Sequence, residues 1–498
     1  MTAAEVRDRL DHRFKLLIGA RRGLERHQTL RHAVTWSYDL LDDSEKTLLE
    51  RCSVFADGFD VQSACAVAES DDADEFRVLD LLDALVRKSL LVADRSTGRT
   101  RFSMLETIRQ FAEEKLVARG EAAEAGSAHA RHFAGCDAEM MALWDSPRQR
   151  EAYTWFAAEL ANLRKAFRWA ADHGDLDAAA TLATYVGLLG FGVENYEPVS
   201  WAEELIEPAV AAGHARLANL YVIASLCWMA GRIEDAIRYV EIGQTVLAET
   251  LHTPPHGVEG WLGAAYLTVG QPERWAELCR TQLERRHDNH VYIRACRVFA
   301  LAFAGLADEA KAHTEGLIEA GVASRNPYMH SFAIGASSFP LSTTDTVRAM
   351  HACRQGLAIA QDSGNRFNES ILAFNLARLE AREAVTVAAF DHLTLAVRNY
   401  HDSGNVASLR SPLAGVSVFL DRLGRFEPAS TIAGFALSPL AVAAAPEFMT
   451  TIAHLRDVLG ARIYESLAQR GEAMNMAAIA AYAYDQIGQA RTELEQLR

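Results

Sequence analysis

Cysteine is sparse: seven residues in 498, at positions 52, 65, 136, 227, 279, 296 and 353, an odd number with no CxxC pair. That excludes a disulfide framework or a zinc ribbon and suits buried thiols in a reducing cytosol. Basic charge is also short, with 50 Lys and Arg against 66 Asp and Glu and a net charge of −16. Bulk electrostatics therefore argue against a partner that is nucleic acid or an anionic membrane. The amino-terminal residues are charged throughout and lack the apolar core of a secretory signal. The most membrane-like stretch, 178–193, is sixteen uncharged residues rich in Gly, Ala and Thr, shorter than the roughly 20 that a span needs. A soluble cytoplasmic protein is expected.

Catalytic signatures are missing as well. The dipeptide Gly-Lys never occurs, so no GxxxxGK[ST] loop can cradle phosphates, and neither GxSxG nor HExxH is present. No enzyme is expected from these residues, and no cofactor of their own.

What the chain does have is helical periodicity, and only twelve prolines interrupt it. Leu30, Val34, Tyr38 and Leu41 share one face, and Asp43 or Ser44 is placed to cap a following helix over 45–53. After an acidic loop with five acids in residues 69–75, a helix over 77–88 aligns Val78, Leu81, Leu82, Leu85 and Val86. The period then changes to strand, turn, strand over 90–94, 95–99 and 100–104, before a last helix over 105–118 that stops at Gly120. Helices followed by a hairpin and a helix are the order of a winged helix. The expected domain spans 27–120.

From about residue 125 the pattern is helical, cut by turns at Gly174, Gly231, Gly270, Gly305 and Gly424, most followed at a fixed offset by alanine. Steps of 39 and 35 residues separate Gly231, Gly270 and Gly305, and Asp-Ser-Gly-Asn ends at both Asn365 and Asn405, 40 apart. Such spacing describes stacked helix pairs of tetratricopeptide (TPR) type. The expected fold class is mainly α: a winged-helix domain, a connecting helix over 121–145, and a TPR-like superhelical solenoid over 146–498.

Several segments together carry a resemblance. Arg26–Leu30, Trp36–Leu41, Cys52–Ala56, Leu85–Leu91, Met104–Phe111 and Glu159–Leu-Ala-Asn-Leu–Arg164 resemble the large bacterial STAND regulators, signal-transducing ATPases related to NB-ARC proteins. In that family a P-loop core and helical lid precede the winged helix and repeats. Actinobacterial members often add a nucleotide cyclase, others a LuxR-type helix-turn-helix. The resemblance implies that residues 1–26 are a remnant of the lid and that the chain begins mid-module. It implies a nucleotide contact for Arg26 and His27, with ATP or ADP bound only if an ATPase core is supplied elsewhere. It implies a sensing and coupling role, with a protein partner or small effector on the repeats. The alternative is a DNA-binding transcriptional regulator. Its contacts would be Arg87 and Lys88 at the foot of the wing and Arg95, Arg99 and Arg101 on it, although Asp80 and Asp83 on the candidate recognition helix would repel phosphates.

Two further groups carry a plainer reading. His129, His132 and Cys136 lie at i, i+3 and i+7 without a fourth ligand, so interfacial packing is expected rather than metal. The recurrent tryptophans 144, 155, 169, 201, 228, 261 and 275 read first as core between helix pairs.

Overall fold

Alanine- and leucine-rich segments with apolar residues three and four apart favour helices, and helices account for nearly all the regular structure. The computed structural model describes residues 31–68, 74–96, 98–249, 254–286, 288 and 290–496. The expected lid remnant, Arg26, His27 and most of the acidic loop lie outside the described residues. The chain divides into two compact units: one runs to Cys136 and adds Ala157–Ala179, the other joins Asp137–Phe156 to the residues from Ala180 onward.

The first unit is built as a winged helix. Residues 31–39 form α1, and α2 covers Asp43–Arg51. The cap of α2 is Asp42, not Asp43 or Ser44: its carboxylate accepts the Glu45 N–H at 2.9 Å while Glu45 accepts the Asp42 N–H at 2.9 Å. Only Asp42 stands three residues before a glutamate, which this reciprocal box requires. Helix α3 covers Val61–Val67 and α4 covers Glu75–Arg87, burying Val78, Leu82 and Leu85.

Strands β1 (Val92–Asp94) and β2 (Arg101–Ser103) pair antiparallel with Val92 opposite Ser103. They are shorter than the sequence suggests because Leu90 and Leu91 are both buried, and successive strand residues point to opposite faces. Phe59 adds a bridge to the hairpin, exchanging two 2.8 Å backbone hydrogen bonds with Phe102. Helix α5 (Glu106–Arg119) ends at Gly120, and α6 (Ala122–Gly135) follows.

Residues 157–172, from the helix Gln149–Asp172, complete this unit. Asn162 carries the junction: its Oδ1 accepts the Ala56 N–H at 2.8 Å and its Nδ2 donates to Gly58 O at 3.0 Å and to Glu159 Oε2 at 2.7 Å. Glu159 in turn pairs with Arg101, which donates to Gly58 O at 2.5 Å. A buried cation, Arg51, donates to Val67 O at 2.5 Å and meets Glu121 at 3.3 Å and Glu124 at 3.0 Å.

The second unit is the repeat array, in which consecutive helices pack on one another, as from Pro327–Thr344 through Thr346–Ser363 and Arg366–Glu380 to Val387–Ser403. The two Asp-Ser-Gly-Asn turns place Gly364 and Gly404 at φ of +82° and +75°, a region glycine enters without a Cβ penalty. The asparagines that follow are fully buried. Asn365 accepts from Tyr153 Oη at 2.6 Å and donates to Gln149 at 2.7 Å, while Asn405 donates to Tyr196 Oη at 3.1 Å. These bonds join residues about 210 apart in sequence.

The array is the expected stack of helix pairs, and its contacts are not limited to neighbouring repeats. It curls until early and late repeats meet. The rings of Phe191 and Phe367 lie 4.4 Å apart, and a Cβ on Gly231 would sit 3.1 Å from Val406. Two segments on the early side, Leu226–Ala230 and Pro255–Val269, are 3₁₀ rather than α-helical, the second broken by a kink at His256 and Gly257, whose φ values are +59° and +70°.

Near the end of the array the helices Phe426–Ala436 and Ala461–Glu472 cross almost backbone to backbone: a Cβ on Gly434 would fall 2.0 Å from the Ala468 carbonyl oxygen. Gly434→Ala is expected to cost on the order of 3 kcal/mol in urea unfolding, since backbone cannot yield as a side chain can. Gly488→Ala, in a helix where a Cβ meets nothing within 4 Å, is expected to add about 0.5–1 kcal/mol.

Candidate functional site

In a winged helix the third helix and the wing form the surface that reads a partner, so the side chains of α4 and the hairpin decide what the domain can recognise. On α4, Phe76, Leu79, Asp80 and Asp83 fall at i, i+3, i+4 and i+7, one face of the helix. Phe76 is 79% exposed and Leu79 40%. This face is apolar and acidic. Arg77 donates to Ser44 Oγ at 3.4 Å, and Arg87 is exposed at the end of the helix.

The five expected DNA contacts do not form one patch. Arg95 is exposed on the wing with its guanidinium 4.0 Å from Asp83, and Arg99 is exposed beyond the turn. Lys88 is occupied by Glu45 at 2.5 Å, a carboxylate that is itself buried. Arg101 points into the domain, against Glu159 and Gly58. Its side chain belongs to the fold of the unit and not to the outer face of the wing. Phe76 and Leu79 belong to no functional face that the sequence alone suggests. The available signal was that neither lies on the stripe of Val78, Leu82 and Leu85.

The trio His129, His132 and Cys136 does not converge. His129 is buried between the rings of Phe55 and Phe133, and burial with the nearby Lys165 charge pushes its imidazole down to about 3. His132 meets Ser63 Oγ at 3.1 Å, and the Cys136 thiol donates to the His132 carbonyl at 3.4 Å. Among the described residues no group of three side chains is arranged to hold a metal. Nor is any helix of the described residues long and apolar enough to cross a membrane.

In the repeat unit, Glu194 is a buried carboxylate in the turn after helix Leu176–Gly192, held at φ +59°. It accepts from Ser370 Oγ at 3.2 Å. Burial pushes its carboxyl up to about 7, against the opposing pull of the Arg366 charge.

Residues 41–117 match the family model described as "Winged helix-turn-helix domain". These residues form a winged helix-turn-helix domain. A Mycobacterium tuberculosis protein named "Putative HTH-type transcriptional regulator Rv0890c" is 40% identical over 212 residues, which are 42% of this chain and 24% of that protein. The chain therefore spans about a quarter of the length of that relative. A Mycobacterium tuberculosis "Uncharacterized protein" is 37% identical over 135 residues, 27% of this chain and 34% of its own length. Among solved structures, a STAND protein with a tetratricopeptide repeat sensor from Pyrococcus horikoshii covers 87% of this chain and 64% of its own. It does so at 15% identity and a TM-score of 0.42, too distant to fix fold or function. The winged helix-turn-helix match leaves the charge-based exclusion of nucleic acid without independent support.

Two outcomes follow from the site. Arg101→Ala strands the buried Glu159 and is expected to cost on the order of 3 kcal/mol in urea unfolding, whereas Arg95→Ala changes stability by less than about 0.5 kcal/mol. Glu194 binds its proton more tightly folded than unfolded, so stability falls as pH rises from 4.5 to about 7. Glu194→Gln is therefore expected to stabilise the protein by roughly 3 kcal/mol at pH 8 and by almost nothing below pH 4.5. A gain that is equal at both ends would assign the effect to packing instead.

Proposed function

We propose that this chain is a non-catalytic, signal-sensing and coupling part of a STAND-type regulator. In this reading the repeats take up a protein or small effector. The winged helix relays occupancy to an ATPase core outside this sequence, through protein contact. The observation that carries it is the exposed face of α4, where Phe76 and Leu79 stand beside Asp80 and Asp83. Apolar groups rimmed by carboxylates suit a protein surface and oppose a phosphate backbone. The helix Gln149–Asp172 supplies residues to both units.

A second reading, a DNA-binding transcriptional regulator with the repeats as its effector sensor, is favoured by the winged helix-turn-helix match and by the printed name of the mycobacterial relative. Here Arg87, Arg95 and Arg99 would carry the phosphate contacts.

The two readings part on salt. Fluorescence anisotropy of a labelled mixed-sequence 30-mer duplex, titrated with the protein at low salt, is expected to show no saturable binding under the first reading. Binding that weakens steeply with added salt, and again in the Arg87→Glu, Arg95→Glu, Arg99→Glu variant, would replace it with the second.

A further inference from the structure

Where the early and late repeats meet, the second unit carries an uncharged, largely aromatic slot. Of its twenty-two lining residues twelve are aromatic and none carries a charge, in a chain with a net charge of −16. Counted out to its open mouth it holds about 800 Å³. Phe191 in its wall packs directly on two other wall rings, at 4.1 Å from Trp261 and 4.4 Å from Phe367. Ordinary core packing would satisfy the polar atoms of such a wall. Trp275 follows that rule, donating to Gly260 O at 2.8 Å. Trp228 does not: it is 4% exposed, lines the slot, and its indole N–H is buried without a hydrogen-bond partner.

From this juxtaposition we propose that the slot is a binding site for a small, neutral, planar aromatic molecule carrying a hydrogen-bond acceptor such as a carbonyl oxygen. An uncharged wall rich in aromatic rings suits an apolar ring system, which would meet those rings at centroid distances of about 4.5–7 Å. A wall without cations gives no partner for a carboxylate or phosphate, and one without anions none for an amine. An indole N–H only donates, so the ligand must supply the acceptor. Both sides of the closed array contribute, Trp228 and Trp261 from the early repeats and Ser411 from the late ones, so occupancy bridges them.

The inference deepens the sensing reading and rests on it only in treating the ligand as a signal. Binding itself is measured on the purified chain without DNA or any ATPase. Failure to bind would remove the slot and leave the regulatory reading standing, and the reverse holds for a failed regulatory readout.

The probe is prodan, a neutral naphthyl ketone whose emission shifts to the blue in apolar surroundings. Titration of the full chain is expected to give a saturable blue shift at one equivalent and a raised melting temperature. Ala264→Trp, which fills the slot from its partly buried wall, is expected to abolish the signal. Trp228→Phe keeps a ring but deletes the donor, and is expected to weaken binding about tenfold, the equivalent of one hydrogen bond. No saturable shift with the unmodified chain, or the same affinity in Trp228→Phe, would overturn the proposal, the latter even if Ala264→Trp fails to fold.

Discussion

The winged-helix unit depends on one ion pair to a buried carboxylate and the amide beside it. Arg101 leaves the hairpin to meet Glu159, and Asn162, one helical turn further on, bonds the backbone of the turn at Ala56–Gly58. Three segments far apart in sequence are fixed by this cluster: the hairpin, the turn before α3, and residues 157–172. Burying Glu159 without its guanidinium would cost far more than the pair gains on forming, so the contact specifies geometry more than it adds stability. The same arrangement removes Arg101 from the outside of the wing and lowers the positive charge the domain can offer a phosphate backbone.

The repeat unit follows a related rule with amides in place of charges. Asn365 and Asn405 sit just past glycine turns, where an asparagine ordinarily caps the next helix. Asn405 does so, accepting the Ser408 N–H at 3.0 Å, but it also reaches Tyr196. Asn365 gives up the cap and bonds Tyr153, Gln149 and Ser363 instead. A buried amide left unpaired is costly, so these side chains hold the early and late repeats in one register. Where those repeats meet, the array carries a slot lined largely by aromatic rings.

Much of this was legible in order and little of it in contact. The period of Val78, Leu82 and Leu85 located α4, the change of period at Leu90 located the hairpin, and the glycine steps located the repeat turns. The strand ends were misplaced because Leu90 and Leu91 look like strand residues until both are found in the core. Arg101 looked like a wing cation because nothing local shows that a glutamate 58 residues away is its partner. The tryptophans read as core, and five of the seven are indeed buried. That Trp228, Trp261 and Trp275 also line a slot depends on which repeats face one another.

Local chemistry along the chain determined what each segment is: helix, hairpin or turn, since periodicity, capping carboxylates and glycine act over a few residues and need no knowledge of the rest. It determined, too, that these residues carry no phosphate-binding loop. Tertiary structure alone decided which charges remain outside, which asparagines bind across the array and where the aromatic faces converge. Those outcomes rest on pairings between residues 58 to more than 200 apart, and no local pattern encodes a partner at that distance.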